Sequence, residues 1–168
     1  MVKTTNITEE ENIRTLLGNV MDPEIPVLSV NDLGIVRRIK VMVPLQQVEI
    51  VITPTYSGCP AMDVIAINIR MELLANGYQK ITVTTELSPA WTTDWMSDQG
   101  KQKLKEYGIV PPAEREAHQE LFAEAPPAEC PQCHSSNPFR ISEFGSTACK
   151  ALYQCRDCGE PFDVFKCH

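Results

Sequence analysis

The sequence predicts an α+β protein in two parts. The first, residues 1–110, is a small α/β domain in the order helix, strand, strand, helix, strand, helix about a three-stranded sheet. The second, residues 129–168, is a cysteine-rich, ribbon-like unit. Three observations lead there. Of seven cysteines in 168 residues, Cys59 alone precedes residue 129, and Cys130, Cys133, Cys149, Cys155, Cys158 and Cys167 follow it. Apolar residues switch between helical and strand spacing up to about residue 108. Between the two parts, residues 111–128 (PPAEREAHQELFAEAPPA) carry Pro-Pro near both ends and form a linker, with room for a short helix in the middle.

The elements follow in order. Thr8 suits a helix N-cap, Glu9, Glu10 and Glu11 suit the positive end of the helix dipole, and Glu11 completes a capping-box pattern. Ile13, Leu16, Leu17 and Val20 continue at helical spacing. The stretch DPEIPVLSV, with two prolines, ends that helix. GIVRRIKVMV (34–43) and VEIVIT (48–53) are rich in β-branched residues and flank a short turn, which predicts a hairpin. After the loop PTYSGCP, AMDVIAINIRMELLANG predicts a helix with Met62, Ile65, Ile69 and Leu73 on its buried face and Asn76-Gly77 as its stop. KITVTTEL (80–87) is the third strand, and TTDWMSDQGKQKLKEYG holds a short helix interrupted near Gly100. Trp91 and Trp95 could form a partner surface; the plainer expectation is the core, where large aromatics supply buried area.

Charge and hydropathy exclude several classes. The net charge is −7, from 15 Lys and Arg against 22 Asp and Glu. Residues 130–168 carry four charges of each sign, so no segment offers the basic surface that neutralising phosphates requires, and nucleic acid is not an expected partner. No apolar run approaches the ~20 residues that span a bilayer. The start, MVKTTNITEEEN, is too polar and acidic for a secretory signal, so the expected compartment is the reducing cytoplasm. There, clustered thiols hold metal more often than they form disulfides.

CPQC (130–133) and CRDC (155–158) are two C-x2-C pairs 21 residues apart. Each tight turn offers two thiolates along one edge of a tetrahedron, so the four together predict a zinc site. Gly159 eases the turn after the second pair. A unit of about 40 residues lacks an adequate core, and a bound metal supplies the missing folding free energy. KALYQC (150–155) and FDVFKC (162–167) fit the hairpin of a zinc ribbon. A closed four-thiolate site is structural; the same ligands could instead hold redox-active iron. Cys149, Cys167 and His168 are candidate extra or alternative ligands, with buried free thiols as the plainer alternative for the cysteines. His134 could compete as a ligand or stay exposed.

Cys59 lies in SGCP, at the entry to the second helix, where helix N-terminal amides stabilise a thiolate. Thr53, Thr55, Tyr56 and Ser57 place hydroxyls nearby. Such a thiolate could bind iron or a cluster or act as a nucleophile; the residue could equally be a small buried hydrophobe. No histidine lies in this domain, which weakens a Cys/His pair. Asp22, Glu24 and Asp32 could join Cys59 around a cation, against turn and capping roles for the same residues.

MDPEIPVLSVNDLGIV followed by ITPTYSGCPAMDVI resembles the small α/β domain of iron–sulfur assembly and iron-trafficking proteins, through a D-P-E…D-L-G segment and a T-x-x-x-C-P loop. The matching positions are Asp22, Pro23, Glu24, Asp32, Gly34, Thr53, Thr55, Cys59 and Pro60. SPAWTTDWMSDQGKQKLKEYGIVPP, CPQC, FGSTACKALYQC and EPFDVFKCH extend the resemblance over nearly the whole chain, to the D-component family of the phenylacetyl-CoA epoxidase system of phenylacetate degradation. This implies a bacterial accessory protein that assists iron or iron–sulfur loading of the oxygenase or reductase subunit. Transient iron or a cluster would sit at Cys59 with Asp32, Thr53, Thr55 and Glu24, and zinc at the four-cysteine site. A homodimer is a further arrangement left open. The chain itself has no Glu-x-x-His di-iron motif and no Gly-rich nucleotide fingerprint, so it is not expected to be the oxygenase or the reductase. The alternatives are a non-catalytic docking subunit of the same complex and, with least support, an enzyme using Cys59 as nucleophile.

Overall fold

The computed structural model describes residues 3–42, 47–111 and 129–166. It divides into two compact units, Met1–Gly100 and Lys101–His168.

In the first unit, α1 (Lys3–Leu17) buries Ile13 and Leu17. The helix thus begins at Lys3, upstream of the cap position expected at Thr8. The Gly18 amide donates to the carbonyls of Arg14 and Thr15 and closes the helix. The proline-bearing stretch that follows is irregular but well packed, with Val20, Ile25, Leu28 and Val30 buried. Asp22 organises it: its Oδ1 accepts the amides of Glu24 and Ile25, both at 2.7 Å, an Asx turn of the kind Asp-Pro favours.

Strands β1 (Val36–Met42) and β2 (Gln47–Ile52) pair antiparallel, as the hairpin pattern predicts; their turn, residues 43–46, lies outside the described residues. Alternation on β2 buries Val48, Ile50 and Ile52 completely. Helix α2 (Ala61–Ala75) then crosses over so that β3 (Lys80–Thr85) pairs parallel to β2, giving sheet order β1-β2-β3. The buried face of α2 contains the expected Met62, Ile65, Ile69 and Leu73. The helix ends at Asn76 and at Gly77, whose φ of 92° few other residues adopt.

A 3-10 turn (Thr93–Trp95) precedes α3 (Asp98–Glu106), which runs unbroken through Gly100. The expected interruption is absent. Gly100 is there for clearance: a Cβ would stand 2.9 Å from Asp32 Cβ and 3.0 Å from Asp32 O.

The second unit contains a four-stranded sheet in the order β4-β7-β6-β5, from β4 (Ile109–Val110), β5 (Pro138–Ser142), β6 (Lys150–Cys155) and β7 (Pro161–Phe165). The β6–β7 hairpin is the one expected from KALYQC and FDVFKC. The edge strands are additions. β4 comes from the end of the segment assigned above to the α/β domain, and it pairs parallel to β7 through Ile109–Asp163 and Val110–Val164. A two-residue strand has no periodicity to betray it. The linker expected at 111–128 lies, from residue 112 onward, outside the described residues.

Candidate metal centre and candidate iron site

The two C-x2-C segments fold as a matched pair. The Cys130 amide donates to Ser135 O at 2.9 Å, and the His134 amide donates back to Cys130 O at 3.0 Å. In the second turn, the Cys155 amide donates to Glu160 O at 2.9 Å and the Gly159 amide to Cys155 O at 3.0 Å. Both turns close on a left-handed residue, His134 at φ 58° and Gly159 at φ 79°. This geometry aims amides at sulfur. The Ser135 N–H reaches Cys133, those of Cys158 and Asp157 reach Cys155, and that of Glu160 reaches Cys158.

The four Sγ atoms of Cys130, Cys133, Cys155 and Cys158 all lie within 4.8 Å of one another. Cys130–Cys158 and Cys133–Cys155 are each 3.6 Å apart. That is too long for a disulfide at ~2.05 Å. It is close to the ~3.7 Å edge of a tetrahedron built on ~2.3 Å metal–sulfur bonds. The donor set fits one tetrahedral thiophilic ion with no position left open. Cys130 and Cys155 are buried, with Phe162, in a small core flanked by Val110, Tyr153 and Val164, while Cys133 and Cys158 are exposed.

The sulfurs do not ionise alike. The Cys158 amide, with that of Asp157 and the neighbouring thiols, lowers Cys155 to about 7. At Cys133 the Ser135 amide lowers the pKa, but shared protons with Cys158, Cys155 and Cys130 outweigh it and push the thiol up to about 12. A thiolate at Cys133 at neutral pH therefore requires a cation among the sulfurs. Outside the sulfurs, Asp157 ties the turns together, accepting from Ser135 Oγ and from Asn137 Nδ2. The Ser135 bond, with that of Asn137, holds the Asp157 carboxyl below its usual range.

The supplementary candidates fall outside this set. Cys149 is buried, lies 3.0 Å from Thr147 Oγ1 and is not among the four clustered sulfurs. Cys167 and His168 lie outside the described residues. The His134 side chain is 78% exposed and faces Glu129 at 3.9 Å. Since His134 is held in a left-handed backbone that its counterpart Gly159 adopts freely, His134→Gly is expected to stabilise the metal-bound second unit by about 0.5–1 kcal/mol. A higher denaturant midpoint for the loss of its β-sheet signal, at unchanged metal content, checks this.

In the first unit, Cys59 is half-buried in the turn before α2, its amide donating to Tyr56 O at 3.3 Å. Burial pushes the thiol up; the Ala61 amide and the Tyr56 hydroxyl pull it down, and the Glu24 and Asp22 carboxylates push it up again. The net shift is upward. The helix-start amides expected to favour a thiolate are present, but they are outweighed, so Cys59 is a protonated thiol at neutral pH unless a cation intervenes. Glu24 and Asp22 are thus the charged groups brought close to Cys59. Thr53, at the end of β2, is buried, and its Oγ1 has no hydrogen-bond partner among the described residues. Thr55 is half-buried.

Asp32 is placed differently. It is 4% exposed. Its Oδ2 accepts from the Ser29 amide (3.0 Å) and Ser29 Oγ (2.8 Å), and its Oδ1 accepts from Ser97 Oγ (3.1 Å). The next two residues serve the same segment: Leu33 O accepts from Trp91 Nε1 at 2.8 Å, and Gly34 lies against the Trp95 backbone. The D-L-G run is a bracket that holds residues 91–100. Trp91 is core, as expected, whereas Trp95 is half-buried under the Arg37 guanidinium, 3.3 Å from its ring centroid. Sequence reasoning missed the Ser29–Asp32–Ser97 network and the Asp157 tie, because both join residues whose proximity is tertiary.

Fold and sites together define a two-part protein, an iron–sulfur-assembly-type α+β domain joined to a four-thiolate ribbon. Residues 10–84 match the family described as "Iron-sulfur cluster assembly protein", and residues 114–166 match the "PaaD zinc beta ribbon domain". The chain is 50% identical over 155 residues, 92% of its length and 91% of the relative's, to an Escherichia coli K12 protein described as the putative D component of 1,2-phenylacetyl-CoA epoxidase. The chain belongs to that PaaD family. It is also 34% identical over 96 residues, 56% of this chain and 90% of the relative, to an "Fe-S protein maturation auxiliary factor" of Porphyromonas gingivalis. A crystal structure of a DUF59 domain from Bacillus anthracis superposes with a TM-score of 0.57 at 25% identity, covering 61% of this chain and 96% of that one. Among the described residues no helix is long and apolar enough to cross a membrane.

Proposed function

We propose that this chain is a maturation factor of a phenylacetyl-CoA epoxidase system, which assists iron or iron–sulfur loading of the oxygenase or reductase subunit and does not itself epoxidise. The observation that carries this reading is the surroundings of Cys59: a half-buried thiol with the Ala61 amide and Tyr56 hydroxyl directed at sulfur and the Glu24 and Asp22 carboxylates acting on it. Those carboxylates disfavour a bare thiolate but favour a cation beside it, so the group is poised to ionise when iron arrives. The orphaned Thr53 hydroxyl supports a ligand-binding role for the same loop. The names of the two relatives, an epoxidase component and a maturation factor, point the same way. In this reading the cysteine ribbon holds a structural zinc, and the setting is the cytoplasm.

A second reading, a docking subunit without a part in iron transfer, is favoured by the closed four-thiolate set, which offers shape and no open coordination position. Cys59→Ser separates them. In cells producing every epoxidase component, the variant is expected to lower the iron content of the oxygenase or the reductase several-fold, with zinc in this chain unchanged. Full iron in both components would overturn the maturation reading and leave the docking one.

A further inference from the structure

Helix α2 is apolar on two opposite faces. One, with Met62, Ile65, Ile69 and Leu73, is buried against the unit's own core. The other carries Val64, Ile67, Met71 and Leu74, which are 44%, 52%, 63% and 55% exposed. These four make up nearly half of the large exposed hydrophobics among the described residues, concentrated on one 15-residue helix. At about 100° per residue they fall within an arc of about 80°, and their 3-4-3 spacing is that of a helix seam. A surface helix ordinarily turns its polar face outward. The stripe also begins one turn beyond Cys59.

We infer that this stripe is the docking face for an amphipathic helix of the protein that receives iron from Cys59; this rests on the maturation reading above. Size argues against a second copy of this chain as the occupant. Four such side chains present on the order of 400 Å², the size of a functional patch on a monomer. That is about half of the ~800 Å² per partner that a stable interface buries. It suits a contact that forms for transfer and then releases. The length agrees as well: Val64 to Leu74 spans about 15 Å, three turns of a partner helix. The charges set polarity. Asp63 flanks the stripe at its start, Asp22 and Glu24 act on the adjacent thiol, and Arg70 lies further along. The partner helix therefore presents an apolar seam with a basic residue at the Cys59 end.

The test uses the full chain with purified oxygenase and reductase components as the probes. Ile67→Glu and Met71→Glu, both at exposed positions, are expected to weaken binding to one component at least tenfold, while iron binding at Cys59 and thermal stability stay as in the unsubstituted chain. Leu87→Glu, at an equally exposed apolar residue (59%) outside α2, serves as control and is expected to bind normally. Unchanged affinity in the α2 variants, or no binding of the unsubstituted chain to either component, overturns the proposal. So does a homodimer in sedimentation that the α2 substitutions dissociate, since the stripe is then the seat of a second copy. Cys59→Ser tests the underlying reading separately: full client iron in that variant overturns maturation, even where the α2 variants still lose binding.

Discussion

Removing the metal from the four-cysteine site, or replacing Cys155 with Ser, is expected to unfold the second unit. Cys130 and Cys155, two of the four clustered thiols, are buried with Phe162 in one hydrophobic cluster of that unit, so the sulfurs are part of its core. The described ribbon segment is residues 129–166, a size at which apolar burial seldom suffices. Metal binding in small four-ligand domains contributes apparent free energies of about 10–16 kcal/mol near neutral pH. That matches or exceeds the whole stability of an ordinary domain, about 5–15 kcal/mol. A strong chelator should therefore abolish amide protection across β5, β6 and β7, while β1 to β3 keep theirs. Cys155→Ser should bring metal content from one ion per chain to none. Cys149→Ser should leave it at one, because Cys149 stands apart from the four clustered sulfurs. Hydrogen exchange together with metal analysis reads both.

Gly34→Ala is expected to be the most damaging conservative change in the first unit. Gly34 sits at φ 65°, and a Cβ there would stand 1.9 Å from Trp95 O and 2.6 Å from Trp95 C. Neither atom belongs to a movable side chain. Trp95 lies in the segment that Asp32 holds through Ser97 and that Leu33 holds through Trp91. The added methyl must therefore push that segment off its bracket, and buried partners of the Asp32 carboxylate lose their bonds as it moves. The left-handed backbone costs about 1–2 kcal/mol by itself, and each unsatisfied buried group about 1–3 kcal/mol more. A loss of about 3 kcal/mol or more is expected, a fall in Tm of roughly 12 °C or more for a unit of this size. The chain's two tryptophans are Trp91 and Trp95, so their fluorescence reports this unit directly. Gly58→Ala is the comparison: φ is 82°, but nothing lies within 4 Å of the added Cβ, and the cost should stay near 1 kcal/mol.

What the sequence made legible follows from the range of the interactions involved. The metal centre is written in two five-residue turns, each closed by its own backbone, so C-x2-C spacing alone located it. Strands β1 to β3 and helix α2 carry long periodic runs, and on α2 the buried face Met62, Ile65, Ile69 and Leu73 came out residue by residue. Helix α3 was harder, because Gly100 signals a break locally while its cause, contact with Asp32, lies 68 positions away. Strand β4 has two residues and gains its identity only from pairing with β7. The Asp32 side chain illustrates the same limit. A buried aspartate beside an iron-type loop invites a ligand role, yet the structure turns its oxygens to Ser29 and Ser97. For Cys59 the location was legible and the electrostatics were not: the helix-start amides can be read from sequence, whereas burial and the approach of Asp22 and Glu24 depend on the folded loop.

On the maturation reading, Cys59 carries iron in transit while the ribbon holds its own metal throughout. Metal and sulfide analysis of the full chain, prepared without oxygen and offered ferrous iron, addresses it most directly, with Cys59→Ser alongside. One zinc per chain is expected in both proteins, and additional iron, alone or with sulfide, only where Cys59 is present. Equal iron in the two proteins, or none in either, would contradict it.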